Sequence, residues 1–194
     1  MGDPGKYCLL NTTVMIRSLL VTLWVLISVS VSGQKFMSER GFIKFFSHAT
    51  IEDITARNEK ATALFDAAAG TIAFVVPINK FEFAKSLMQE HFNEKYLESE
   101  RYPKSTFQGR ILGYSPDATT QQSVSAQGKL TIHGVTRDVD IPGQIVRMEK
   151  GLNMTAKFVV ELKDYNIEIP TLMWQNIAER VEVTLEFSFR PVEE

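Results

Sequence analysis

The sequence predicts an all-β protein, an extended antiparallel β-barrel of about eight strands with one short helical insertion. Three observations carry this. After Lys35, apolar and polar residues alternate with a period of two through most of the chain, the pattern of strands with one buried and one wet face. Turn signals recur at short intervals, at Asn58, Gly70, Ser115–Asp117, His133–Gly134 and Glu149–Gly151, as they do in closed antiparallel barrels. A single long stretch, Phe81 to Pro103, has no period of two.

Taken in order, "GFIKFFSHA" reads as a strand with Ile43 and Phe45 on one side and Phe42 and Phe46 on the other. "ATALFD" and "TIAFVV" read as two strands joined at "AAAG", with Gly70 as the turn residue. In "FEFAKSLMQEHFNEKYLESERYP", Phe83, Leu87 and His91 recur at helical spacing, and Met88, Phe92 and Tyr96 run beside them. One or two helical turns are expected there, ending before Pro103. A helical insertion among strands suits a plug or lid at a barrel end. Glu90, Glu98 and Glu100 read as its solvated face.

Phe107, Gly109 and Ile111 share a strand face, and so do Val124, Ala126, Leu130 and Ile132. In "KLTIHGVTRDVDIP" two alternating runs flank Gly134, as in a β-hairpin. Gly134 adopts φ > 0 without steric cost. His133 and Thr136 are expected to bond across that turn, a structural role for His133. Val139, Ile141 and Ile145 continue inward. Met154, Ala156, Phe158, Val160 and Leu162 form the next inward set, and Val181, Val183, Leu185, Phe187 and Phe189 the last. "IPTLMWQNIAE" is irregular, anchored by Trp174 and Ile177.

The 194 residues are 44% hydrophobic and 23% charged, with a formal net charge of −2. That is the composition of a globular chain, not a disordered one. No basic stripe is present to suggest nucleic acid. Near the start, Arg17 precedes the charge-free run "LLVTLWVLISVSV", Leu19 to Val31, and small and polar residues follow. This is the order of a secretory signal peptide, so residues 1–33 are read as one, cut near Gln34. The run is short for a membrane span of about 20 residues. Residues 1–14 fit poorly as its n-region, which makes Met15 an alternative start. Cleavage would remove Lys6, Arg17 and Asp3, taking the charge from −2 to −3. It would also remove Cys8, the single cysteine, and with it any thiol chemistry.

Nothing points to catalysis or to a metal. His48, His91 and His133 lie far apart in sequence and show no ligand spacing. No G-x-S-x-G elbow or phosphate loop occurs. The strongest remaining signal is the set of apolar inward faces. On pattern alone a packed core is the simpler reading, because side chains can just fill a barrel of about eight strands.

Several stretches resemble a known family. "GKLTIHGVTRDVDI" resembles the G-x-L-T-I-H-G-V-T hairpin of the YceI-like family, bacterial lipid- or polyisoprenoid-binding proteins. "HFNEKYLESERYPKSTFQG" is similar to that family's segment in which a Tyr-Pro pair, here Tyr102-Pro103, leads into a Phe-bearing strand. "LKDYNIEIP" is similar to its Asp-aromatic-x-Ile element, here Asp164, Tyr165 and Ile167. The resemblance spans about Phe36 to Arg190, giving a domain of residues 36–190. The chain departs from the family's Arg-Asp-x-His-Leu run, keeping only His91-Phe92, and has Leu162-Lys163 in place of its late Arg-Ser.

The resemblance implies a lipocalin-like barrel whose inward face lines a tunnel for a long isoprenoid chain. It also implies a periplasmic or secreted, non-enzymatic protein without a cofactor. The expected wall is Phe45, Phe74, Phe107, Leu130 and Ile132, with Ile141, Phe158, Leu185 and Phe187, and Trp174 at one mouth. The expected partner is a long-chain isoprenoid or similar lipid, with no nucleic acid and no stable membrane span after cleavage. A homodimer is compatible with this reading. A reading of another class is a packed barrel that binds a protein partner in the envelope, and a weaker one is a hydrolase of small apolar substrates.

Overall fold

The computed structural model describes residues 34–48, 53–169 and 179–192. The segment read as a signal peptide and Trp174 lie outside the described residues. The ten described strands are β1 (Lys35–Ser47), β2 (Ile54–Asn58), β3 (Thr62–Asp66), β4 (Thr71–Pro77) and β5 (Glu82–Phe83), then β6 (Lys104–Leu112), β7 (Gln122–Ile132), β8 (Val135–Met148), β9 (Gly151–Glu161) and β10 (Arg180–Pro191). Eight of them close an antiparallel barrel in the order β1-β3-β4-β6-β7-β8-β9-β10, with β10 returning to β1. The all-β barrel read from the alternation is the fold observed.

Strand β1 serves two partners on one edge. Lys35–Met37 pair with β3, while Ile43–Ser47 pair with β2, whose far edge takes β5. Its register against β10 shifts between Ser38 and Arg40, and an irregularity of this kind bends a strand. Where β3 leaves β1, Ser38 Oγ accepts a bond from the Ala63 amide at 2.8 Å.

The two barrel ends differ. One end carries the β3–β4, β6–β7 and β8–β9 connections. Phe36, Phe65, Leu152 and Phe189 are buried there, and Phe65 meets Tyr114 edge to face at 5.2 Å. The other end carries the helical insertion, the His133–Gly134 hairpin and the segment after β9. The insertion is helix α1 (Ser86–His91) followed by a π-helical turn, Phe92–Tyr96, as the spacing of apolar residues predicts. No residue of α1 is buried. Among the described residues no helix is long and apolar enough to cross a membrane.

The hairpin pairs Ile132 with Val135 around two residues of positive φ, His133 at 50° and Gly134 at 74°. Both central residues of a type I′ turn need φ > 0. The ring of Tyr102 lies where a Cβ on Gly134 would sit, so only glycine fits. The expected bond from His133 to Thr136 is corrected. Thr136 faces Thr131 across the ladder and bonds its hydroxyl at 2.8 Å. His133 points to the barrel end instead, where its Nε2 lies 3.0 Å from Glu98 Oε2 and its Nδ1 3.3 Å from the Tyr165 carbonyl oxygen.

Candidate functional site

Alternation along eight strands turns a row of apolar side chains into the barrel. Inside the barrel that row stands apart and encloses a cavity of about 510 Å³. Phe45, Phe74, Phe107, Leu130, Ile132, Ile141, Phe158 and Leu185 all line it, from β1, β4, β6, β7, β8, β9 and β10. These residues were expected to form a wall.

Phe187 is a correction. It does not line the cavity and is fully buried. Its neighbour on β1 is Gly41, and a Cβ there would overlap the Phe187 ring. The ring fills the space that Gly41 leaves and meets Phe74 edge to face at 5.2 Å. Phe74 lines the cavity and packs on Phe187, which does not.

The helical insertion contributes more wall than its pattern alone suggests. Phe81, Phe83, Leu87, Met88, His91, Phe92, Tyr96 and Leu97 all line the cavity. Phe45, Phe81, Phe83 and Phe92 form one aromatic cluster, each ring 5.0–5.6 Å from its neighbours. Leu87 lines the cavity and is 59% exposed, so the cavity reaches the surface beside α1. The signal for this part of the wall was the helical stripe from Phe83 to Tyr96, whose two rows face inward.

The wall carries few polar groups. Ser105 Oγ is turned to its own sheet and donates to the Thr131 carbonyl at 2.7 Å. Burial pushes the Tyr96 phenol up, so it is a neutral donor. Among the described residues no Asp, Glu, Lys or Arg lines the cavity, and no cluster of His, Cys, Asp or Glu could hold a metal. Of the three histidines, His91 faces the cavity, His48 bonds Asp53 at 2.7 Å, and His133 bonds Glu98. Glu98, read as part of a solvated helix face, lies past the π turn with φ of 42° and reaches the hairpin. Tyr165 is buried beside it, and burial and the Asp164 carboxylate raise its phenol.

A family model for the YceI-like domain matches residues 35–189. The chain belongs to the YceI-like family. Among solved structures this YceI-like chain is similar to Burkholderia cenocepacia BcnA, at 16% identity and a TM-score of 0.66, covering 76% of this chain and 95% of that one. It is similar to a polyisoprenoid binding domain from Saccharophagus degradans implicated in plant cell wall breakdown, at 18% identity and 0.66, covering 81% and 98%. A YCEI protein of Campylobacter jejuni matches at 17% and 0.58, covering 76% and 90%. At these identities the likeness is one of fold. No curated protein matches.

Proposed function

We propose that this YceI-like protein is a non-enzymatic binding protein that holds a long apolar lipid, a polyisoprenoid, in its barrel. The observation that carries the reading is the cavity of about 510 Å³ walled by aliphatic and aromatic side chains and reaching the surface at the helical end. Such a wall binds by removing apolar area from water, at about 0.8 kcal/mol per buried CH₂, and needs few polar contacts. The Saccharophagus relative, a polyisoprenoid binding domain, supports the chemical class. The partner-binding reading expects a filled barrel, and the cavity counts against it. Export completes the proposal. The charge, apolar run and small residues of 15–33 have the order of a signal peptide, and the mature protein would act in the periplasm or outside the cell.

The test is to purify the protein from its native envelope, extract it with organic solvent and analyse the extract by mass spectrometry. A stoichiometric prenyl lipid supports the proposal. An extract free of lipid, from protein that also takes up none when supplied, counts against it. Peptide mapping of the same sample checks export, with the mature N-terminus expected near Gln34.

A further inference from the structure

We infer that the cavity selects chains whose polar end is uncharged, a hydroxyl, carbonyl or amide, over prenyl phosphates of the same length. This rests on the lipid-binding reading above and names the ligand class more narrowly. No described residue lining the cavity carries a carboxylate, ammonium or guanidinium group. A phosphate drawn inside would lose its water and meet no cation, which is the costly case for a buried charge. A neutral acceptor meets a polar ring at the helical end, where His91 lines the wall.

The rim offers an anion no better place. Along 78–103, Lys80, Lys85, Lys95 and Arg101 are outnumbered by Glu82, Glu90, Glu94, Glu98 and Glu100. Arg101 already lies 3.8 Å from Glu98. After β9, Lys163 stands against Asp164 and Glu168, and after β1, His48 is bonded to Asp53. Even with Lys104 at the start of β6 and Arg137, which bonds the Asp164 carbonyl, these described acidic residues outnumber the Lys and Arg.

The experiment is equilibrium dialysis of the full mature protein at about pH 8. The probes are geranylgeraniol, geranylgeranyl monophosphate and the hydrocarbon squalane. The alcohol is expected to bind at least about tenfold more tightly than the phosphate. His91→Leu should weaken the alcohol about three- to tenfold and leave squalane unchanged. Phosphate binding equal to or tighter than the alcohol overturns the inference while leaving the lipid-binding proposal standing. Failure of all three probes to bind overturns both. If His91→Leu binds alcohol and squalane as the parent does, the assignment of His91 is wrong.

Discussion

Phe74 and Phe187 meet edge to face at 5.2 Å, one ring lining the cavity and the other fully buried. The pair joins the cavity wall to a ring packed away from it. Phe158, on β9, is half-buried and lines the cavity. The two phenylalanines should therefore respond differently to truncation. Phe187→Ala should cost the full core penalty of about 3–5 kcal/mol. Phe158→Ala should cost lipid-free protein less, about 1–2 kcal/mol, because fewer protein atoms lose contacts. Denaturant unfolding of both variants without lipid checks this. Equal losses would mean that Phe158 is as well packed as Phe187.

The fold is legible in the sequence because the wet and dry faces alternate so regularly, most cleanly from Val181 to Phe189. Alternation says which way a side chain points but not what stands opposite. Phe187 and Leu185 share one face in the sequence, and only the glycine at position 41 on β1 decides that the first is packed. Gly41 carries no such label, since glycine reads equally as a turn or a bulge. The two-residue turn at His133–Gly134 is legible because its chemistry is local. The partners of His133 are not, since Glu98 lies 35 residues away and reaches it through a left-handed backbone. The double pairing of β1 is hidden for a similar reason. Lys35–Arg40 has weak alternation, and its partner changes along its length.

His133 ties the hairpin to the loop after the helical insertion and to the segment after β9. Tyr102 packs on its ring edge to face at 4.6 Å. His133→Asn keeps a residue tolerant of positive φ but loses the reach to Glu98. It should cost about 1–2 kcal/mol. His133→Val should cost more, because a β-branched residue is strained at φ > 0. Unfolding midpoints of the two variants rank them. Equal midpoints would show that the backbone at 133 carries no strain.

On the outer face of the β7–β8 ladder, Asp140 accepts bonds from Ser125 Oγ and from Gln127 Nε2, the latter at 2.8 Å. These bonds hold its carboxyl below the usual 3.8. The unfolded chain then binds the proton more readily. The contribution of Asp140 to stability is present above about pH 4 and is lost as pH falls through its folded pKa. Stability measured from about pH 5 downward should fall less steeply in Asp140→Asn than in the parent. A parallel pair of curves would contradict this.

Small residues widen the cavity on the β7–β9 side, where Ala126, Gly143 and Ala156 line it. Ala126→Leu adds atoms where the lipid-free protein has space. It should leave stability unchanged or raise it by about 1 kcal/mol. Lipid binding should fall by tenfold or more. Thermal unfolding and dialysis on the same sample read both quantities, and a loss of stability with binding unchanged would place Ala126 against packed neighbours.

The central claim is that the barrel interior holds an apolar chain, and ligand-linked stability tests it most directly. A ligand that binds the folded chain alone, present at 100 times its dissociation constant, adds about 2.7 kcal/mol. Denaturant unfolding of the mature protein, stripped of lipid and then supplied with saturating geranylgeraniol, should show a midpoint raised by that order. The account is contradicted by a midpoint that does not move with added prenol or with squalane.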